Sequence, residues 1–263
     1  MEAIILAAGY GMRLDNELKS LKASDPEKHS EIRPFLEGRA KPMIIINGKP
    51  VIQYTVENLE RAGITRIVIV TNNRYFSQFD EWRDSYKGKS LIKLINDGTN
   101  TNESRLGSIH DLLLALKKEN ISDDVIMVAG DNLFKFEIKD MIESFNDVHT
   151  SMIAVYPEKD PERIKKSACV EFDESNLVVN FEEKPKKPRS EWICPAIHIY
   201  TADTIRLIKE MKFDDSRKDL IGNIPMMLYD RIDIHAFVRK DKIRFDLGTI
   251  HDFDNAVEHF SRK

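Results

Sequence analysis

The apolar run Ile4–Ala8 breaks into Gly9-Tyr10-Gly11-Met12-Arg13 within the stretch IILAAGYGMR. A single structural turn needs one glycine. Small residues on either side of a turn let the backbone N–H groups of residues 8–13 approach a phosphate chain, and Arg13 adds a charged fork. No Gly-Lys-Ser/Thr follows, so the loop is not a Walker A loop, and Leu14 stands where a GxGxxG pattern needs its last glycine. Lys41 precedes Pro42, which predicts an extended backbone and a side chain able to reach a triphosphate or a developing negative charge. A surface lysine entering a strand is the plainer alternative. Asp131 in VIMVAGDNLF follows an apolar run, the place where open α/β sheets bind ligands. A carboxylate there suits Mg²⁺, which takes few carboxylates and shares phosphate oxygens and water; a helix-capping Asp is the alternative. Asp246 in IRFDLGTIHDFDNA repeats the arrangement and could share the ion. Glu183 and Lys184 precede Pro185 in VVNFEEKPKKPRS. Lys184 suits a phosphate on a second substrate as a point charge, while Lys186, Lys187 and Arg189 read as a solvated charge run.

These residues need a scaffold that brings strand ends together. The first half alternates between two periods. AIILAA, TRIVIVT, SLIKLIN and DVIMVAGD read as buried strands. KPVIQYTVENLERAG, RYFSQFDEWRDSYKG and SRLGSIHDLLLALKK read as helices, the first with Pro50 near its start and Gly63 past its end. In the second half, TSMIAVY, ACVEF, LVVNF, WICPAIHIY, DIHAFV and KIRFDLG read as strands, with ACVEF and LVVNF spaced as a hairpin. ADTIRLIKEM, DLIGNIPMMLYD and IHDFDNAVEHF read as helices. The expectation is one α/β domain over 1–263 with a mixed, mostly parallel central sheet and helices on both faces. Residues 1–149 would form a nucleotide-binding half and 150–263 an acceptor-binding half. The segment Asp15–Arg39 is highly charged with weak apolar periodicity. It reads as a solvated loop or short mobile helix, or as a lid over the glycine loop.

The bulk numbers narrow the class. At 263 residues, 41% hydrophobic and 32% charged, the chain has a soluble composition, and a net charge of −4 argues against a dedicated nucleic-acid or anionic-membrane binder. No run approaches a membrane helix, and no secretory leader pattern opens the chain. Cys169 and Cys194 form no CxxC or ligand spacing, the seven histidines form no zinc pattern, and the thiols read as structural in a reducing compartment. A cytoplasmic protein is expected. Trp192 and the run 225–229 could lie at an interface between copies, as in a homo-oligomer, or in the core.

Six stretches, LAAGYGMRL, KPMIIINGKPVIQY, RLGSIHDL, AGDNLF, FEEKP and FDLGTIHDFDNA, resemble the sugar-phosphate nucleotidyltransferase family in order and over nearly the whole chain. The glucose-1-phosphate thymidylyltransferases and mannose-1-phosphate guanylyltransferases are among its members. The resemblance implies a Rossmann-like nucleotidyltransferase fold, Mg²⁺ dependence and release of pyrophosphate. It assigns the nucleotide to Leu6, Ala7, Ala8, Gly9 and Gly11, to Asn96 and Asp97, and to Gly107 and Ser108. It makes Arg13 and Lys41 catalytic and Asp131 and Asp246 metal ligands. It gives the acceptor to Asn132, Glu183, Lys184, Ala168, Ala196 and His198. The partners would be a nucleoside triphosphate and a phosphorylated small molecule, joined by in-line attack on the α-phosphorus. Because the chain ends soon after DFDNA, the β-helix acetyltransferase domain of the bifunctional relatives is not expected.

Departures from the family pattern bear on the acceptor. The segment between Arg13 and Lys41 is long. Ser167-Ala168 and Pro195-Ala196-Ile197-His198 stand where the thymidylyltransferases carry pocket glycines and a tyrosine. Those changes would narrow the pocket and alter its polarity, so beside the leading reading, a Mg²⁺-dependent nucleotidyltransferase with a sugar 1-phosphate type of acceptor, a cytidylyltransferase acting on phosphocholine or a phosphonate stands as the alternative. A nucleotide-sugar glycosyltransferase is a further alternative, opposed by Asn132 and Leu133 where an Asp-x-Asp would stand. A non-catalytic nucleotide-binding regulator is another, opposed by the presence of Arg13, Lys41, Asp131 and Asp246.

Overall fold

Strands and helices alternate through the first half as the two hydrophobic periods require. The computed structural model describes residues 1–213, 219–240 and 244–261. In chain order the elements of the first half are β1 (Glu2–Leu6), α1 (Met12–Ser24), α2 (Pro26–Leu36), a 3₁₀ turn (Lys41–Met43), β2 (Ile45–Ile46), β3 (Lys49–Pro50), α3 (Val51–Arg61), β4 (Arg66–Thr71), α4 (Phe76–Ser85), β5 (Leu91–Asn96), α5 (Ser108–Lys118), β6 (Val125–Ala129), β7 (Asn132–Phe134) and α6 (Ile138–Val148). Then follow β8 (Ser151–Pro157), α7 (Pro161–Ile164), β9 (Ala168–Phe172), β10 (Val178–Glu183), β11 (Trp192–Cys194), β12 (Ile197–Tyr200), α8 (Ala202–Glu210), α9 (Asn223–Leu228), β13 (Ile234–Val238), β14 (Arg244–Asp246) and α10 (Ile250–Ser261). Part of the strand expected over 242–248 lies outside the described residues.

Two compact units interleave along the chain rather than following one another. The first holds Met1–Ile4, Leu106–Val128 and Glu137–Lys242; the second holds Ile5–Arg105, Ala129–Phe136 and Ile243–Lys263. In the second unit β4 and β5 run parallel, from Arg66 opposite Leu91 to Thr71 opposite Asn96. The N–H of Ala7 donates to the carbonyl of Val70 at 2.8 Å, tying the end of β1 to β4. A short hairpin joins β2 to β3 through Asn47 (φ 49) and Gly48 (φ 78), the Asn-Gly pair that such a turn favours. β7 and β14 pair antiparallel, with Asp246 opposite Asn132.

The first unit is built mainly from antiparallel pairs, in the order β10-β9-β11-β8-β12-β6, with β13 lying parallel on β8. The expected hairpin of β9 and β10 is present. Its turn is held by the Asp173 carboxylate, which accepts the N–H groups of Ser175 and Leu177, with Asn176 at φ 65. The sheet is therefore mixed, as expected, and parallel pairing marks the βα crossovers of the glycine-loop half. WICPAIHIY is not one strand. Pro195 has no N–H to give a ladder, and the Ile197 N–H turns back to the Pro195 carbonyl at 2.7 Å, which separates β11 from β12.

The segment 15–39 departs most from expectation. It is a pair of helices, α1 and α2, with Asp25 as N-cap of α2 accepting from the Lys28 N–H and Pro26 at its first position. Leu14, Leu18, Ile32 and Leu36 are buried in a cluster with Ile44, Ile46, Leu133, Phe253 and Ala256. One apolar residue per turn is enough here because β2, β7 and α10 supply the remaining wall. Lys28 pairs with Asp254 at 2.7 Å, and Glu17 accepts the Ile250 N–H at 2.8 Å. Cys169 and Cys194 are buried free thiols. Among the described residues no helix is long and apolar enough to cross a membrane.

Candidate functional site

The glycine loop lies between β1 and α1, at the N-terminus of a helix. Gly11 caps α1 with φ 66, a left-handed conformation that only glycine adopts cheaply. A Cβ on Gly9 would meet nothing within 4 Å, so the backbone is open to a ligand there. The N–H groups of Ala8, Gly9, Gly11, Met12 and Arg13 donate to no group among the described residues. On the inner side the loop is tied down: Leu6 carbonyl accepts the Gly130 N–H at 2.8 Å and Ala8 carbonyl accepts the Asn72 amide at 2.9 Å.

Lys41 reaches this loop by a route the sequence did not suggest. Its backbone is not extended but opens a 3₁₀ turn, fixed by Met43 N–H to Ala40 carbonyl at 2.8 Å and Ile44 N–H to Lys41 carbonyl at 3.1 Å. These two bonds override the bias imposed by the following proline. A Cβ on Gly11 would lie 3.6 Å from Lys41 Cγ, so the lysine stem runs along the glycine loop. Its Nζ donates to Asp131 Oδ2 at 3.3 Å. Burial pushes the Lys41 pKa down, but Asp131 and Asp246 outweigh that and leave it above the ordinary lysine value, so the side chain is an ammonium. Arg13 opposes this from nearby.

Two glycines absent from the sequence-level assignment bring the charged groups together. Gly130 precedes Asp131; a Cβ on it would sit 3.2 Å from Leu6 O, Ala7 Cβ and Ile5 Cγ2, a tight fit that a side chain could take only if these neighbours gave by a few tenths of an ångström. Gly248 follows Asp246; a Cβ on it would lie 3.4 Å from Arg13 Nη1. The visible signal for both was a glycine within two residues of the carboxylate, in AGD and DLG. The Leu247 N–H approaches the Asp131 carbonyl at 3.4 Å, so the segments bearing the two carboxylates run side by side. Gly9, Gly11, Arg13, Lys41, Asp131 and Asp246 thus converge within the second unit. A groove of about 590 Å³ starts at Arg13 and runs between α1 and the start of α10, with Asn16, Ser20, Lys28 and His251 among its walls.

Other candidates are placed differently. Asn132 is buried on β7. Asn96 Oδ1 accepts the Gly98 N–H at 2.8 Å while its Nδ2 donates to Asn73 Oδ1 at 2.8 Å, and Asp97 accepts the N–H and the hydroxyl of Thr99 at 2.7 and 2.8 Å. Gly107 (φ 92) and Ser108 open α5 in the first unit. Also in that unit, Ala168 pairs with Glu183 on one side and Cys194 on the other. Ala196 is half-buried just beyond β11. Burial raises the Glu183 pKa, with Lys184 pulling the other way, and the carboxylate packs on Gly222, where a side chain would collide with it. Lys184 is exposed with φ 51, its N–H held by the Ser167 carbonyl at 3.0 Å.

His198 stands apart from these. It is 1% exposed in the core of the first unit, where Nδ1 is hydrogen-bonded to the Tyr200 hydroxyl at 2.7 Å and Nε2 lies 3.4 Å from Cys194 Sγ. Burial lowers its pKa to about 3, so the ring is neutral. The expectation that His198 alters an acceptor pocket meets a closed core instead. β12 is flanked in the sheet by β6 and β8, and every β12 side chain is buried.

The chain is similar to the bifunctional protein GlmU of Methanocaldococcus jannaschii, 27% identical over 82% of this chain and 43% of that protein. It is similar to the glucose-1-phosphate thymidylyltransferase of Neisseria meningitidis, 27% identical over 81% of this chain and 65% of that protein. The chain thus spans less than two thirds of either relative. Among solved structures, a UDP-glucose pyrophosphorylase complexed with UDP-glucose superposes with a TM-score of 0.77 at 20% identity, covering 99% of this chain and 98% of that one, which shows the shared fold. The family model described as nucleotidyl transferase matches residues 30–263, and the chain belongs to that family.

Proposed function

We propose that the protein joins a nucleoside triphosphate to a sugar 1-phosphate, giving a nucleoside diphosphate sugar and pyrophosphate. The observation that carries this is the meeting of free loop N–H groups at the start of α1 with Arg13, Lys41, Asp131 and Asp246. The loop N–H groups and Arg13 hold the triphosphate, and Lys41 neutralises charge on the attacked phosphate. The acceptor phosphate is already ionised, so positioning and charge neutralisation do most of what the reaction needs. Asp131 and Asp246 are the pair that would hold Mg²⁺, and two carboxylates beside a phosphate loop fit an ion that fills its shell with phosphate oxygens and water. When bound, the ion would supply charge stabilisation on the phosphates. Glu183 and Lys184 are assigned to the acceptor.

A sugar phosphate is preferred to phosphocholine or a phosphonate. One of the changes that favoured the smaller acceptor was His198, and its side chain is in the core. The names of the relatives point to sugar phosphates as well. The test is pyrophosphate release with Mg²⁺ over a grid of five nucleoside triphosphates against hexose 1-phosphates, phosphocholine and small phosphonates. Release with one hexose 1-phosphate, abolished in Asp131→Asn, is the expected result. Release confined to phosphocholine or a phosphonate would overturn the choice of acceptor, and none in folded protein would overturn the assignment as an enzyme of this type.

A further inference from the structure

Tyr10 sits between the two glycines, yet its side chain turns away from the open face of the loop and is 2% exposed. Its hydroxyl lies 2.8 Å from Thr99 Oγ1, 89 residues away. Thr99 has one hydroxyl proton, and the Asp97 carboxylate takes it at 2.8 Å, with the second carboxylate oxygen at 3.0 Å. Tyr10 must then be the donor to Thr99, in a chain running Tyr10 to Thr99 to Asp97 that ends on a charge. The Tyr75 hydroxyl reaches the Tyr10 carbonyl at 3.4 Å, and the two rings pack at 6.4 Å between centroids. Tyr75 is itself positioned by Asn72, whose Oδ1 accepts the Tyr75 N–H at 3.1 Å while its Nδ2 holds Ala8.

We propose that Tyr10 is a positioning residue that locks the glycine loop onto the 97–99 turn and so presets the loop N–H groups for the triphosphate. The proposal rests on the nucleotide-binding reading given above. Its physical content is specific. A loop with glycines on both sides of one residue has wide conformational freedom and would lose that entropy on binding. The loop binds no ligand through Tyr10's side chain; instead the inward hydroxyl removes that freedom in advance. Carbonyls and the tyrosine hydroxyl are used toward the protein, and the N–H groups of Ala8, Gly9 and Gly11 remain for the ligand. The same chain gives Asp97 a role its position alone did not suggest, that of anchoring the loop through Thr99.

The experiment compares Tyr10→Phe, Thr99→Val, the double variant and Arg13→Ala in the whole protein. Nucleoside triphosphate affinity is measured by calorimetry, with kcat and both KM values from pyrophosphate release. Phe keeps the ring and Val keeps the shape, so melting temperatures should stay within a few degrees of the parent. The expected result is a five- to tenfold loss of triphosphate affinity in each single variant. No further loss is expected in the double variant, because each single variant already breaks the Tyr10–Thr99 link. KM for the sugar phosphate should not move. Unchanged triphosphate affinity in Tyr10→Phe and Thr99→Val, with a loss in Arg13→Ala, would overturn the role of Tyr10 and leave the nucleotide site standing. Unchanged affinity in all variants, Arg13→Ala included, would overturn both. Additive losses in the double variant, or parallel rises in both KM values with a large drop in melting temperature, would also overturn it, since they report general loosening.

Discussion

Gly9 and Gly11 are two residues apart and carry different constraints. Gly9 has empty space where a Cβ would go, whereas Gly11 is held at φ 66 at the start of α1. Gly9→Ala should therefore fold like the parent but place a methyl where the phosphates approach. The expected outcome is a rise in triphosphate KM of about tenfold, roughly 1.4 kcal/mol, with an unchanged melting temperature. Gly11→Ala should instead cost about 1–2 kcal/mol of stability through the left-handed backbone, which lowers the melting temperature by roughly 4 °C. Equal melting temperatures for the two variants would show that the loop differs from this description. At this scale much was legible in the sequence. The glycines, Arg13, Asp131 and Asp246 sit in short local patterns whose chemistry is carried by residue type. What local patterns could not carry was the 3₁₀ turn at Lys41, which is set by the bonds of its own turn, or the pairing of Tyr10 with Thr99, which needs two distant loops to meet.

At the scale of elements, the helical pair α1–α2 was the hardest to read. Its apolar residues are Leu14 and Leu18 on one helix and Ile32 and Leu36 on the other, too sparse a stripe to announce two helices among so many charges. Their burial depends on α10 and β2, which no local window contains. A packed helical pair predicts that Leu18→Ala costs about 3 kcal/mol in urea unfolding, as for other buried leucines. A cost near zero would instead identify the pair as a loosely held lid. β12 makes a second prediction. Its alternation was legible as a strand, but which of its side chains meet solvent depended on the strands and helices around it. The His198 pKa is held near 3 by burial, against about 6.5 in the unfolded chain. The unfolded chain takes its proton first, so the stability from the neutral ring is fully present above pH 6.5 and is lost as pH falls toward 3. The loss is on the order of 4 kcal/mol across that window. Urea midpoints measured at pH 7, 6, 5 and 4 should fall accordingly, and His198→Phe should flatten the slope. Parallel slopes for variant and parent would remove His198 as the cause.

For the whole molecule, the question is how a chain of net charge −4 would accept a polyanion. Global attraction works against it, so on the proposed reading binding would rest on local groups: Arg13, Lys41, the loop N–H groups and a divalent ion. Lys41 is paired with Asp131, so the carboxylate proposed to hold the metal is not left uncompensated. Among the described residues no group of three or more His, Cys, Asp and Glu side chains is placed to hold a metal as part of the fold. Stability and metal dependence should then separate. Chelation with EDTA should leave the melting temperature unchanged, and Mg²⁺ alone should raise it by no more than about a degree, because the ion must displace Lys41 from Asp131 without phosphate oxygens to complete its shell. Mg²⁺ and nucleoside triphosphate together should raise it by several degrees, since at a ligand concentration of about a hundred times Kd the gain is roughly 2.7 kcal/mol. Asp131→Asn and Asp246→Asn should each abolish the joint shift while retaining the parent's own melting behaviour. A triphosphate shift of equal size with EDTA present would mean that the loop and the two cations suffice for binding. Asp131 and Asp246 would then lose their assignment to the metal, and the pairing of Asp131 with Lys41 would be a permanent part of the site.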